Sequence, residues 1–183
     1  MDIKVKWILR AVLTALCAFM VGFILYNSLR TAEQSTQQST AVVDVIQQTV
    51  AAVAPESPIA TATGDAYDRL HNAIRTLAHF FEYALLGVLG AWCCLSYTLR
   101  RIFLTVPVSG ITGLAVADEC LQTLAEGRGA QFVDILVDTL GGWCGLAFAL
   151  FAVWAVVKII KRGKHETREF GNSLDEVQQK DVV

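Results

Sequence analysis

The stretch TLGGWCGLAFALFAVWAVV, residues 139–157, carries no charged side chain over 19 positions. As a helix rising about 1.5 Å per residue it approaches the roughly 30 Å of a bilayer's hydrocarbon core. Similar runs precede it. Ala11–Leu29 and Ile102–Ala117 are free of charge, and Thr76–Leu99 is interrupted only by His79 and Glu82. The chain of 183 residues is 54% hydrophobic and 17% charged, with a mean hydropathy of +0.48, which sets it apart from ordinary soluble domains. The expectation is an all-α integral membrane bundle of four transmembrane helices, spanning about 7–29, 76–99, 102–124 and 133–160, in one domain over residues 1–162.

Lys4, Lys6 and Arg10 ahead of the first apolar run also describe a signal peptide. That run is long for such a segment, and FILYNSLRT after it offers no clear small-x-small cleavage site, so it reads as a retained span. With the N-terminus cytoplasmic, eleven of the fifteen lysines and arginines fall inside: Lys4, Lys6, Arg10, Arg100, Arg101, Lys158, Lys161, Arg162, Lys164, Arg168 and Lys180. Arg30, Arg69, Arg75 and Arg128 fall outside. This asymmetry fits the positive-inside rule for a cell-membrane protein with both termini cytoplasmic.

Residues 31–74 form a polar outer loop rich in Ser, Thr and Gln. Val42, Ile46, Val50 and Val53 share a helical face and predict a short amphipathic helix over Thr40–Ala54, halted by Pro55 and Pro58. It reads as a surface helix resting on the bilayer interface or on the spans below. Residues 163–183 read as a disordered cytoplasmic tail, with His165 a solvated residue, because their charge density leaves little to bury. The five cysteines, Cys17, Cys93, Cys94, Cys120 and Cys144, lack zinc-finger spacing and read as small buried hydrophobes. No phosphate loop, nucleophile elbow or HExxH motif is present.

Chemistry is left to polar stripes at helical spacing. His79, Glu82 and Tyr83 stand at i, i+3 and i+4, with Arg75 one turn earlier. Asp118 and Gln122 end the third span, with Glu119 beside them. Gln131, Asp134 and Asp138 open the fourth, and Arg128 lies in the GRG turn between the two. A charge at the centre of a membrane helix costs about 2.5–3.5 kcal/mol even on the mild insertion scale, so these groups need water, partners or a cation. They are expected to converge on one hydrated, partly buried pocket roofed by residues 127–129. Small residues supply close packing: Gly141 and Gly145 on the fourth span, Ser109, Gly113 and Ala117 on the third, and Ala84, Gly87 and Ala91 on the second.

The segments LAHFFEYALLGVLG, preceded by Arg75, and DECLQTLAEGRGAQFVDILVDTLGGWCG resemble the two signature segments of VanZ-like membrane proteins. The first is similar to R-K-x-x-H-F-x-E-Y-x-x-L-G, and the second to D-E-x-x-Q-x-x-x-x-G-R-x-x-x-x-x-D-x-x-x-D-x-x-G. FILYNSLRTAEQS resembles the end of the family's first span, usually F-S-S-Q, with Asn27 and Leu29 departing from it. Thr76 stands where the family has lysine, and Ala125 and Glu126 replace an apolar-Pro pair. The resemblance covers about Ala18 to Phe151. It implies a place in the bacterial cell envelope and a link to antibiotic resistance, in particular to teicoplanin, a glycopeptide with a fatty acyl tail.

Three roles for the cluster follow. It is structural glue between helices, or a lipid-binding site for an amphiphile's headgroup at the outer leaflet, with Arg75 and Arg128 facing anionic groups. In the third role it is an enzyme site for hydrolysis or transfer on a lipid-linked envelope precursor, with His79 or Glu82 as base and a metal on Asp118, Asp134 and Asp138. No motif calls for a cofactor, a divalent cation among the carboxylates being the single candidate. The expected partners are membrane lipids or an acylated glycopeptide, with no nucleic acid. A transporter or flippase of only four spans would have to work as a homo-oligomer.

Overall fold

A computed structural model of the protein describes residues 2–98 and 101–180, with side chains described for 2–98 and 103–163. Arg100, and the side chains of Arg101 and of residues 164–183, lie outside the described residues. Five helices follow one another: α1 (Ile3–Ser28), α2 (Ala32–Val53), α3 (Asp65–Tyr97), α4 (Thr105–Gln122) and α5 (Phe132–Lys180), with a 3-10 turn at Arg101–Leu104. There is no strand among the described residues. Three helices are long and apolar enough to cross a membrane: Ile3–Ser28, Asp65–Tyr97 and Phe132–Gly163. The fourth expected span, α4, has 18 residues and ends in Asp118, Glu119 and Gln122. At about 27 Å it stands at the short end of the range for a span, and that polar end lowers its hydropathy.

The first compact unit, Met1–Ala147, holds the core and the polar cluster. Met20 and Ile24 of α1, Tyr83, Leu86 and Leu89 of α3, and Ile111 and Ala115 of α4 make the buried core, against which Ile135 of α5 packs. Glycines set the closest approaches. A methyl group at Gly145 would lie 2.8 Å from Ala84 Cα, and one at Gly141 3.1 Å from Phe80 Cα. One at Gly87 would come within 2.9 Å of the Gly142 carbonyl carbon. The α3–α5 seam therefore uses the expected small residues. The third-span stripe does not act likewise: a methyl at Gly113 would meet nothing within 4 Å, and α4 packs through Ile111 and Ala115 instead.

At the end of α1 far from the cluster, Arg10 Nε donates to Ser96 O at 2.9 Å, and its guanidinium stacks 5.1 Å from the Tyr97 ring. That contact makes α1 and α3 antiparallel neighbours. Large apolar side chains such as Ile8, Phe19, Phe81 and Leu140 remain exposed, as expected of faces turned to lipid. Cys120 and Cys144 are also exposed rather than buried, and all five cysteines are free.

The outer-loop helix starts eight residues earlier than its apolar face predicts, at Ala32 rather than Thr40. The reason is a capping box. Thr31 Oγ1 accepts from Gln34 N and Gln34 Oε1 accepts from Thr31 N, both at 3.3 Å. The helix ends before Pro55, as expected. Its buried face is centred on Val43, fully enclosed, while Val42 and Val53 are exposed, so the packing stripe is rotated from the expected one. Gln47 Nε2 donates to Ile59 O and Ala62 O, both at 3.0 Å, tying the turn after α2 back to the helix.

The second unit, Phe148–Val183, contains the remainder of α5, which runs to Lys180. Phe151, Trp154 and Lys158 follow one another along it, with Lys158 Nζ 4.7 Å from the Trp154 ring, an aromatic and a cation of the kind found at membrane interfaces. The segment expected to be a disordered tail continues this helix to Lys180. Its charge density argues against burial but not against helix, since Lys, Arg, Glu and Gln are all good helix formers.

Candidate functional site

Four helix segments deliver polar side chains to one end of the first unit: the last turn of α1, the first half of α3, the last turn of α4 and the first turns of α5. Asp118 and Asp138 are each 1% exposed, and Tyr83 is fully enclosed between them. Asp118 has partners. Ser28 Oγ donates to its Oδ1, and Gln122 Nε2, one turn on in α4, lies 3.5 Å from its Oδ2. Asp138 has none: both its oxygens are buried without a hydrogen-bond donor. His79 Nδ1 stands 3.7 Å from Asp138 Oδ1, an ion-pair distance too long for a hydrogen bond. Thr139 Oγ1 is likewise buried and unpartnered.

The loop between α4 and α5 closes the cluster. Gly127 takes a φ of +76°, a left-handed conformation suited to glycine. The Glu126 carbonyl accepts from Ala32 N at 3.1 Å, so the loop is fastened to the start of α2. Arg128 then reaches inward, its Nη1 3.3 Å from Asn27 O and 3.5 Å from Ser28 O, adding a donor to the last carbonyls of α1. Burial, and then the neighbouring Arg75, lower the pKa of Arg128, which as a guanidinium still stays charged. Glu119 accepts from Gln131 N across the same loop, with its second oxygen unpartnered.

Two cavities open beside this cluster and share Arg75 and His79. One, of about 230 Å³, is lined by Arg75, His79, Gln131, Asp134 and Asp138 together with Asn72, Thr76 and Val137. The other, of about 150 Å³, has Arg30, Arg75 and Arg128 on its wall with Glu82 and His79. Asn27 contributes to that wall beside Glu82. Asp134 and Asp138 thus face one cavity together. Arg128 lines the other, and Tyr83, Asp118, Glu119 and Gln122 lie behind as a buried layer. The close carboxylate group differs from the expected one. His79, Asp118 and Asp138 bring one ligand atom each within 4.8 Å of the others, while Asp134, a turn earlier on α5, is not among them.

This arrangement lies inside the region matched by a family model described as VanZ/LLP1, which covers residues 13–155. The chain belongs to the VanZ/LLP1 family. No curated protein and no solved structure matches the chain. Within this VanZ/LLP1 chain, helical spacing misses the residues contributed by the end of α1: Asn27, Ser28 and Arg30. They follow a run with no polar periodicity. The usable signal is Ser28, the one serine kept at the F-S-S-Q-like end of the first span. Thr139, buried beside Asp138 in sequence, reads as part of an apolar run and gives no signal at all.

Proposed function

We propose that this VanZ/LLP1 protein binds the anionic headgroup of a membrane amphiphile at the outer leaflet. The observation that carries the reading is the arginine-walled cavity at Arg30, Arg75 and Arg128, joined at Arg75 and His79 to a second cavity. Individually, volumes of about 150 and 230 Å³ fall below the roughly 300–1,000 Å³ that encloses a drug-sized ligand. The occupant therefore inserts a headgroup and leaves its tails in the bilayer, along the exposed apolar faces of α1 and α3. Guanidinium groups match phosphate or carboxylate oxygens in bidentate fashion. In this reading α4 is the fourth crossing, both termini are cytoplasmic, and the cluster lies on the outer side. An acylated glycopeptide such as teicoplanin is an amphiphile of that kind.

The test compares lipids retained by wild type and by Arg75→Gln after purification in mild detergent, by mass spectrometry. Wild type should be enriched in anionic lipid over the membrane extract, and the variant should lose the enrichment while staying folded. Identical lipid profiles would refute the reading. A second reading, hydrolysis or transfer on a lipid-linked substrate, has one observation in its favour: His79 and Asp138, side by side, line the larger cavity. A change in the composition of lipid extracts on expression would separate it from binding alone.

A further inference from the structure

We infer that His79, Asp118 and Asp138 form a binding site for one divalent transition-metal ion, of the Mn²⁺ or Zn²⁺ kind, bridging α3, α4 and α5. One nitrogen and two oxygens lie within 4.8 Å of one another, close enough to ligate a single ion after a small inward shift of the side chains. A mixed imidazole and carboxylate set suits first-row transition metals better than Mg²⁺ or Ca²⁺, which prefer oxygen alone.

The second, independent observation is Asp138 itself. It is 1% exposed, and neither oxygen meets a hydrogen-bond donor. A carboxylate in that state lacks the partner that burial demands, and His79 Nδ1, equally unpartnered, points at the same space. Asp118 is held from behind by Ser28 and Gln122, as the outer partners of a metal-binding carboxylate hold theirs. Charge agrees. Around the two cavities and the layer behind them, Glu82, Asp118, Glu119, Asp134 and Asp138 face Arg30, Arg75 and Arg128. With every carboxylate ionised, that is a formal excess of two negative charges, which one divalent ion offsets. Asp134 is a turn from Asp138 and lines the open cavity, so it remains hydrated and outside the set.

The site needs no amphiphile, so its test is independent of the headgroup reading. Tag-free protein in detergent is stripped with chelator, reloaded with Mn²⁺ or Zn²⁺ and desalted. Bound metal is counted by elemental analysis, affinity is measured by titration calorimetry, and ligation is read from the Mn²⁺ paramagnetic resonance spectrum. One ion per chain is expected, with a higher Tm on loading. His79→Gln and Asp138→Asn should each weaken binding by on the order of 100-fold, at the upper end of what even an outer partner contributes. Asp134→Asn should keep the ion. Substoichiometric metal in wild type, or equal affinity in wild type and His79→Gln, would overturn the proposal. Should Asp138→Asn fail to fold, His79→Gln alone decides, because its side chain is partly exposed and carries no structural hydrogen bond. A metal-free Asp138→Asn more stable than wild type, with no Tm response to metal in wild type, would identify Asp138 as a buried neutral acid and also overturn it.

Discussion

Gly145→Ala and Gly113→Ala make the same chemical change on two helices and should have opposite effects. At Gly145 the added methyl would lie 2.6 Å from the Ala84 carbonyl carbon and 2.8 Å from its Cα. Carbon atoms in contact rest about 3.5–4.0 Å apart, so α3 and α5 must separate by about 1 Å. The obstacle is backbone, which no rotamer change relieves. Overpacking of this sort costs about 1–3 kcal/mol, against a gain of about 1 kcal/mol from replacing glycine within a helix. The net result is a loss of up to about 2 kcal/mol. At Gly113 nothing lies within 4 Å of the new methyl, so only the gain remains. Thermal unfolding in detergent, followed by tryptophan fluorescence and by the fraction still monodisperse, should place Gly113→Ala at or above wild type and Gly145→Ala well below it. Because His79 on α3 and Asp138 on α5 face each other across the same seam, Gly145→Ala should also weaken whatever those residues bind. A Gly145→Ala protein as stable as Gly113→Ala would refute the packing argument.

Thr31→Ala removes the capping box of α2 and should cost about 1 kcal/mol, visible as faster hydrogen exchange confined to the first turn of that helix; unchanged exchange at Gln34 and Ser35 would refute it. Reporter fusions at Ser57 and Gly129 should read as external and one after Arg101 as cytoplasmic, since loop residues 31–74 carry five acids while Lys4, Lys6, Arg10, Arg100 and Arg101 gather on the other side. The reverse pattern would put the arginine-walled cavity on the cytoplasmic face and sink the outer-leaflet reading. Expression in a susceptible Gram-positive host should raise tolerance to a glycopeptide with an acyl tail above tolerance to one without, because only the tail partitions into the bilayer, at about 0.8 kcal/mol per buried methylene. Equal shifts would count against it.

The stripes on α3 and α5 are legible in the sequence because those helices are regular and long, so i, i+3 and i+4 positions share a face whatever surrounds them. The seam at Gly141 and Gly145 is legible too, since small residues mark where backbones meet. Helical spacing fails where a third element decides. The buried face of α2 follows its packing on α3 rather than its own apolar count, so Val43 is enclosed while Val42 is not. Its start was legible as Thr31 with Gln34 three residues later, but the apolar face drew attention to Thr40. The span expected over 102–124 forms a helix over Thr105–Gln122, and its polar end is buried against neighbouring helices, which hydropathy alone does not reveal. The α1 contribution to the site, Asn27, Ser28 and Arg30, was not recoverable from periodicity, since position in the last turn of an apolar helix says nothing about which neighbour it meets.

The polar cluster divides into two parts with different physical logic. Asp118 with Ser28 and Gln122, Glu119 with Gln131 N, and Arg128 with the last carbonyls of α1 are partnered groups that join α1, the α4–α5 loop and α4. They behave as interhelical glue, whose measured pairs average about 0.6 kcal/mol. Asp138, Thr139 and His79 Nδ1 do not: they are buried without a hydrogen-bond partner, and leaving one such group unsatisfied costs about 1–3 kcal/mol, more when it is charged. A role in stability alone would select against that set, because an apolar residue of similar size at position 138 would pack without the penalty. Of these groups His79 and Asp138 line the larger cavity. The partnered groups can thus fasten the helices to one another, and the proposed ion would supply Asp138 and His79 with the partner their burial calls for. That division is why Asp138→Asn should change binding while Ser28→Ala, which unfastens Asp118, should lower stability and binding together.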